Sequence, residues 1–354
     1  MMRFETLLAL GLLLLSHVHA FSVERPSSRP HGLCKAPTTT TLLSSSVTAS
    51  DGDRNPSAAS TGASINGSGA TDAPITSMKQ LHGQLLRAQA GAFAFKTKYG
   101  VLNPFALWYG FVSIGLGLFW FVGLTMYQFF AFVTRGKVDK NRLIPNLLNQ
   151  TWGTLLMFFC NSFPKIEGQE HLDKLYKEGR PAMFVANHNS WMDIPFLGHT
   201  IGWRNYKIIS KQELGKVPIL GKAIRVSGNI MVDRKDKRSG LRALKAGIQY
   251  LKNGVHLCTF PEGTRSRTGR LQNFKNGAFK MAHKAGAPVV ALSIVGAHIA
   301  HPVWGMFPLR SARSICKIII HEPIESEGKT EDELVAEVRE KMIEGLSEDQ
   351  KPLP

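Results

Sequence analysis

Three short segments carry side chains whose types and spacing could do chemistry. The first is Asn187-His188-Asn189-Ser190-Trp191-Met192-Asp193, directly after the apolar run Ala182–Ala186. At 3.6 residues per turn, positions five apart on one helix lie about 140° from each other. His188 and Asp193 can therefore meet only if the histidine sits on a loop and the aspartate in the helix that follows. The carboxylate would then accept the Nδ1 proton and fix the tautomer, leaving Nε2 as a general base. Structural duties compete with this reading. Asp193 could cap the helix before Ile194-Pro195 or close a box with Ser190, and His188 could be a satisfied structural histidine.

The second segment, Phe260-Pro261-Glu262-Gly263-Thr264-Arg265-Ser266, follows the run His256–Phe260. Glycine lets backbone approach an anion closely, and Arg265 offers a planar fork that matches phosphate oxygens. Glu262 could orient Arg265 or take a hydroxyl bond from a substrate; a plain turn with a surface ion pair is the alternative. The third, Gly228-Asn229-Ile230-Met231-Val232-Asp233-Arg234, ends a short apolar run. Arg234 is placed as a phosphate ligand at a strand end would be, whereas Lys235, Lys237 and Arg238 read as an exposed basic cluster.

Such groups need a scaffold. Ala182–Ala186, Lys207–Ile209, Asn229–Val232, His256–Phe260, Val289–Val295 and Ile315–Ile320 read as strands, several continuously apolar as strands buried on both faces are. Gly240–Lys252 and Lys275–Lys284 carry helical spacing between them. Alternation of this kind predicts an α/β fold with a mostly parallel central sheet flanked by helices, its reactive groups on loops after strands. We take this domain as 166–346, closing on the amphipathic helix Glu331–Leu346, to which no chemistry is assigned, with 347–354 as a tail.

The region before it is different. Tyr99–Thr134 holds no charged side chain over 36 residues, more than the 20 or so that a helix needs to cross a bilayer. One long tilted helix or a hairpin dipping into one leaflet would both fit, with Asn103-Pro104 as the start. Leu143–Pro164 is also uncharged but diluted by Asn146, Asn149, Gln150 and Thr151, and reads as interfacial. Residues 78–165 are thus expected to be a membrane-embedded helical region. Lys96, Lys98, Arg135, Lys137, Lys140 and Arg142 bracket its apolar core, where they can meet anionic headgroups. Residues 1–20, with Arg3 before Leu7–Leu15 and Ala20 at a plausible cleavage point, read as a signal peptide. Residues 21–77 read as transit peptide and linker: 22–50 contain 12 Ser/Thr, three basic residues and Glu24 as the one acid.

The net charge of +17 is concentrated in residues 78–320, with 34 basic against 10 acidic side chains. Such a surface attracts phosphate, whether on nucleic acid, lipid or small substrate. Nucleic acid is disfavoured because few aromatics interleave with the basic residues and no recognition module appears. Gly215…Gly221-Lys222 is one residue too long for a nucleotide P-loop and is followed by Ala223. Four cysteines make no disulfide framework or metal-ligand spacing.

Taken in order, Asn187-His188 with Asp193, Gly228 with Arg234, Phe260 to Arg265, and Pro288-Val289-Val290 resemble the four motif blocks of the glycerolipid acyltransferases. The stretch Ser210-Lys211-Gln212-Glu213-Leu214…Pro218…Gly221 is similar to the segment preceding the second block in the 1-acyl-glycerol-3-phosphate acyltransferases. Lys275-Asn276-Gly277-Ala278-Phe279 is similar to a downstream segment of the same family. The resemblance covers about residues 160–345.

It implies a lipid-membrane enzyme in which His188, oriented by Asp193, deprotonates the sn-2 hydroxyl of lysophosphatidic acid. The alkoxide attacks an acyl thioester, acyl-CoA or acyl carrier protein serving as co-substrate, with no covalent intermediate, cofactor or metal. Arg265 and the Gly263-Thr264 backbone would hold the acceptor phosphate, with Glu262, Gly228, Arg234 and Lys211 completing the site. No GxSxG is present and Cys258 reads as a core residue, so no nucleophile is in place for an acyl-enzyme. A presequence of signal peptide plus Ser/Thr-rich stretch resembles that of algae with complex plastids, making a plastid membrane the expected location and the endoplasmic reticulum the alternative. Glycerol-3-phosphate or another lysophospholipid is the rival acceptor. A non-catalytic basic membrane-surface protein is the rival of another class.

Overall fold

The computed structural model describes residues 90–91 and 93–353, and all of them fall in one compact unit. The expected signal peptide and the transit peptide with its linker lie outside the described residues. A short antiparallel hairpin, β1 (Phe95–Thr97) and β2 (Gly100–Leu102), leads into α1 (Pro104–Val133). Asn103 starts α1 as its sequence suggests. Its side chain accepts from the Ala106 N–H at 2.8 Å and donates to the Ala90 and Leu309 carbonyls, also at 2.8 Å.

The 36-residue uncharged stretch resolves to one unbroken helix of 30 residues, not a hairpin. At 1.5 Å per residue it is about 45 Å long. It is long and apolar enough to cross a membrane by length and composition. Phe111, Phe119, Val122, Met126, Phe129 and Phe132 are exposed along it.

α2 (Leu143–Phe159) packs against α1 and against α4 (Asp193–Ile201) of the sheet domain. The polar residues that dilute its sequence are the ones that fasten it. Asn146 and Gln150 both donate to the Arg204 carbonyl, and Asn149 accepts from Trp120 Nε1 and donates to Ser227 Oγ.

Strands β3 (Lys165–Glu167), β4 (Met183–Ala186), β5 (Tyr206–Lys211), β6 (Ile230–Val232), β7 (His256–Thr259), β8 (Val289–Val295) and β9 (Lys317–Ile320) form one sheet. Its order is β3-β9-β8-β4-β7-β5-β6, and every neighbouring pair is parallel except β8 with β9. The mostly parallel sheet flanked by helices is as expected. β3 is the strand the sequence hides, because its three residues carry a charge at each end and show no apolar run. Along β4 the side chains alternate: Phe184 and Ala186 enter one core with Phe196 and Ile318, while Met183 and Val185 enter the other with Leu257, Phe279 and Val338. Both faces are covered, which explains the uninterrupted apolar strands.

The remaining helices are α3 (Gln169–Lys177), α5 (Leu220–Val226), α6 (Lys237–Lys252), α7 (Gly277–Ala285), the single turn α8 (Ala297–Ala300) and α9 (Glu331–Gly345). Thr330 and Glu333 form the capping box that opens α9. The residues after α9 do not trail away: Gln350 is fully buried against the end of β8.

Candidate active site

The site lies at the carboxyl edge of the parallel strands, where loops leave the sheet. Asn187 ends β4 and extends the ladder with its side chain: its amide donates to the Ile294 carbonyl at 2.9 Å and accepts the Ile294 N–H at 2.7 Å. The loop then turns His188 out and re-enters the fold as α4.

His188 Nδ1 lies 2.8 Å from Asp193 Oδ2. The histidine is on the loop and the aspartate in the first turn of the helix, the one arrangement that lets positions five apart meet. The same carboxylate oxygen accepts the backbone N–H groups of Asn189 (2.8 Å) and Ser190 (2.9 Å). Three donors therefore converge on one buried oxygen and leave the carboxylate no freedom to turn. Asp193 is not the helix cap; Met192 occupies that position with no side-chain bond. Ser190 instead accepts from the Met192 N–H at 3.1 Å and lies 3.0 Å from His301 Nδ1.

The imidazole stacks on Phe260, ring centroids 3.9 Å apart and 15° from parallel. Its side chain keeps 18% of its exposure, while Asp193 has none. Burial lowers the His188 pKa below the ordinary histidine value, Asp193 pulls it back up, and the charges of Arg265 and Lys211 lower it further. The free enzyme thus carries a neutral imidazole at neutral pH, with Nε2 available to accept a proton.

Glu262 joins backbone on two sides. Its Oε1 accepts the His188 N–H at 2.6 Å and its Oε2 accepts the Gln272 N–H at 2.9 Å. Only 4% exposed, it braces the two loops from below. Burial pushes its carboxyl up to about 7, against the pull of those two N–H bonds.

Gly263 adopts φ +77°, and a Cβ there would stand 2.8 Å from Arg234 Nη2 and 3.0 Å from Lys275 Nζ. Only glycine lets both cations close over this turn. Its N–H is used on the Phe260 carbonyl (2.9 Å) and its own carbonyl takes Arg234 Nη2, so Gly263 supplies shape rather than a donor. The Thr264 carbonyl accepts from Gln272 Nε2 at 3.2 Å. Arg234, Arg265 and Lys275 all have their pKa lowered by burial, and Arg234 and Lys211 each depress Lys275 further. Lys211, Arg234, Arg265 and Lys275 therefore share one cationic cradle beside the imidazole.

Lys275, Phe260 and Asn187 carry parts of the site that the sequence reading did not assign. Lys275 opens the Lys275-Asn276-Gly277-Ala278-Phe279 segment, but nothing in its spacing says that its amine turns back to the Gly263 loop. Gly228 goes the other way. It precedes β6 and so lies at the opposite edge of the sheet, with φ +70° and with Arg142 and the Tyr250 hydroxyl in the space a Cβ would need. It shapes the entry to β6 and does not touch the cradle. Among the described residues no three His, Cys, Asp or Glu side chains converge as a metal site would.

A base on an open lip, held by a buried carboxylate next to four cations, is suited to deprotonating a hydroxyl on an anionic acceptor.

Known proteins similar to this chain belong to one family. Residues 164–295 match the Acyltransferase family model. The chain is 37% identical over 177 residues, 50% of its length, to a chloroplastic 1-acyl-sn-glycerol-3-phosphate acyltransferase of Arabidopsis thaliana, of which this covers 48%. It is 33% identical to a 1-acyl-sn-glycerol-3-phosphate acyltransferase of Chlamydomonas reinhardtii, over 59% of this chain and 60% of that one. The chain thus spans about half the length of the first of these curated relatives. Among solved structures, the 1-acyl-sn-glycerophosphate acyltransferase PlsC of Thermotoga maritima is similar with a TM-score of 0.50 and 29% identity, over 67% of this chain and 95% of that one.

Proposed function

We propose that the acyltransferase domain of this chain moves an acyl group from a thioester to the sn-2 hydroxyl of lysophosphatidic acid, giving phosphatidic acid. The observation that carries the reading is the His188–Asp193 pair set beside the Lys211, Arg234, Arg265 and Lys275 cradle. The acceptor presents a phosphate dianion and a free hydroxyl a few bonds apart. Held by its phosphate, it brings that hydroxyl to Nε2.

His188 takes the hydroxyl proton as the oxygen attacks the thioester carbonyl. The C–S bond breaks and the thiolate leaves, and the imidazolium, stabilised by the adjacent Asp193 carboxylate, gives its proton to that thiolate and returns to neutral imidazole. Cys160, Cys258 and Cys316 are buried and Ser190 is engaged with His301, which favours direct transfer over an acyl-enzyme. Acyl-CoA and acyl carrier protein both supply the required thioester. The length of α1 and its exposed phenylalanines support a membrane-bound enzyme that meets both amphiphiles already concentrated and oriented. A plastid membrane is supported by the Ser/Thr-rich presequence and by the chloroplastic relatives.

The test is direct. Membranes bearing the chain are given acyl-CoA or acyl carrier protein with lysophosphatidic acid, glycerol-3-phosphate or lysophosphatidylcholine, beside a His188→Ala control. Phosphatidic acid should form from the parent and not from the variant. Equal turnover by the two would defeat the proposal, and turnover confined to glycerol-3-phosphate would reassign the acceptor.

A further inference from the structure

The last residues of the chain reach the catalytic loop. Gln350 is 0% exposed, 60 residues past the last motif residue, Val290, and every polar atom of its side chain is used. Oε1 accepts the Gly296 N–H (3.1 Å) and the Ser347 hydroxyl (3.0 Å). Nε2 donates to the Ile294 carbonyl (3.0 Å) and to Asn189 Oδ1 (2.7 Å). Asn189 Oδ1 also accepts from Asn187 Nδ2 (3.0 Å), and Asn189 Nδ2 donates to the carbonyls of His188 (3.2 Å) and Gly269 (3.2 Å). The orientation of the Asn189 amide follows from this network, since the reverse one would face acceptors with its oxygen and donors with its nitrogen.

The three amides lock one another. Asn187, Asn189 and Gln350 are each almost or wholly buried, and the Ile294 carbonyl accepts from both Asn187 and Gln350. The backbone joins in, with the Leu271 N–H donating to the Gln350 carbonyl at 2.8 Å. Two further contacts press the tail down: Arg270 Nη1 donates to the Lys351 carbonyl (2.8 Å), and His298 Nε2 lies 2.9 Å from Asp349 Oδ2. The His188 carbonyl, gripped by Asn189 on one side, is held by the Ser266 N–H (2.7 Å) on the other.

We propose that Gln350 is a positioning residue for the reaction, setting the angle of the His188 peptide, and with it the aim of the imidazole, through Asn189. Asp193 and Phe260 fix the ring from its sides, and Glu262 holds the His188 N–H; Asn189, itself held by Gln350, and the Ser266 N–H hold its carbonyl. The backbone of the base is thereby pinned at both ends, and the carbonyl-side pin comes from a segment that otherwise looks dispensable. The inference rests on His188 acting as the base.

The test uses full-length chain in membranes with lysophosphatidic acid and the donor it accepts, comparing Gln350→Ala, Asn189→Ala and the double variant. Hydrogen exchange at the backbone amides of residues 188–190 and Ser266 is followed on the same preparations. Each single variant should lower kcat about tenfold with acceptor KM nearly unchanged, since a small misplacement of a reacting group acts on rate rather than binding. The double should be no slower than the worse single, because both act through one contact chain, and loop exchange should rise in all three. Parent-like kcat per folded enzyme in Gln350→Ala overturns the proposal, as does a double variant whose loss is the product of the two single losses. Should Gln350→Ala not accumulate, Gln350→Glu decides in its place. Its side chain keeps the volume but loses the donors when ionised, so its kcat should fall with rising pH beyond any fall in the parent, and a parallel profile overturns the proposal. If the parent itself transfers nothing, the assigned function fails, while the exchange measurement still reports whether Gln350 orders the loop.

Discussion

Glu262 Oε1 accepts the backbone N–H of His188 at 2.6 Å, so the acid of the Glu-Gly-Thr-Arg segment braces the His188 loop from beneath. Two loops that follow β4 and β7 are joined by that one carboxylate, whose other oxygen takes the Gln272 N–H.

Glu262→Gln should therefore lower kcat by about tenfold or more with little change in acceptor KM, since one of its two acceptors becomes a donor facing a donor. It should also change the pH dependence of stability. A carboxyl raised from its ordinary value to about 7 by burial holds its proton in the fold where the unfolded chain has lost it. Its contribution to stability is then greatest at low pH and declines as pH rises between about 4.5 and 7. That decline, about 3 kcal/mol from a shift of this size, should be missing from the variant. Thermal unfolding in detergent at pH 5 and pH 8 reads the difference between parent and variant; an identical pH response would contradict it.

A general base at His188 acts as neutral imidazole, and burial holds the His188 pKa below the ordinary histidine value. The acidic limb of the kcat/KM profile should accordingly lie below pH 6.5, with activity kept above it and lost as pH falls through it. Asp193→Asn removes the one group that raises the pKa and should move the limb lower still. The rate should drop by about 10³ to 10⁴, because the wrong tautomer is no longer excluded. A limb that stays in place in Asp193→Asn would mean that another group titrates there.

Gly263→Ala tests the cradle. At φ +77° a methyl group is strained, and it would stand within 3.0 Å of both Arg234 Nη2 and Lys275 Nζ. Acceptor KM should rise by about tenfold while donor KM holds, and Lys275→Ala should do the same with a shallower salt dependence. The measurement is initial rate against lysophosphatidic acid concentration at two ionic strengths. Unchanged acceptor KM in both variants would remove the phosphate from this turn.

What could be read from the sequence was local. The continuously apolar runs, the Asn103-Pro104 start, the capping box at Thr330 and the geometric constraint on His188 and Asp193 all depend on neighbours within a few positions, and each is found in the fold. The missing parts depend on distant chain. β3 is too short and too charged to show a period, and it exists because β9 offers it an edge. Glu262 sits 74 residues from the His188 N–H that it accepts, a backbone partner that its residue type does not announce. Lys275 and Gln350 likewise owe their positions to the sheet. Gly228 falls within a motif, but the direction of β6 carries it to the far edge.

The outer face of α1 should decide where the enzyme works. Val122, Met126 and Phe129 lie within about 60° of one another on the helix at 3.6 residues per turn, and all are exposed. Leu124 and Tyr127, turned toward α5, are buried with Ala223 and Val226. Aspartate in place of the three exposed residues leaves that inner packing intact. At the centre of a bilayer, however, each aspartate opposes insertion by about 3 kcal/mol, enough together to reverse partitioning. The triple variant should move from the membrane pellet to the supernatant, keep its thermal unfolding in detergent, and lose turnover of long-chain lysophosphatidic acid in vesicles. It should still acylate a short-chain acceptor that is soluble as monomer, because His188 and its cradle are untouched. Retention in the pellet after high-salt and carbonate washes would show that α1 is not what holds the protein there, and would pass that role to the basic residues flanking it.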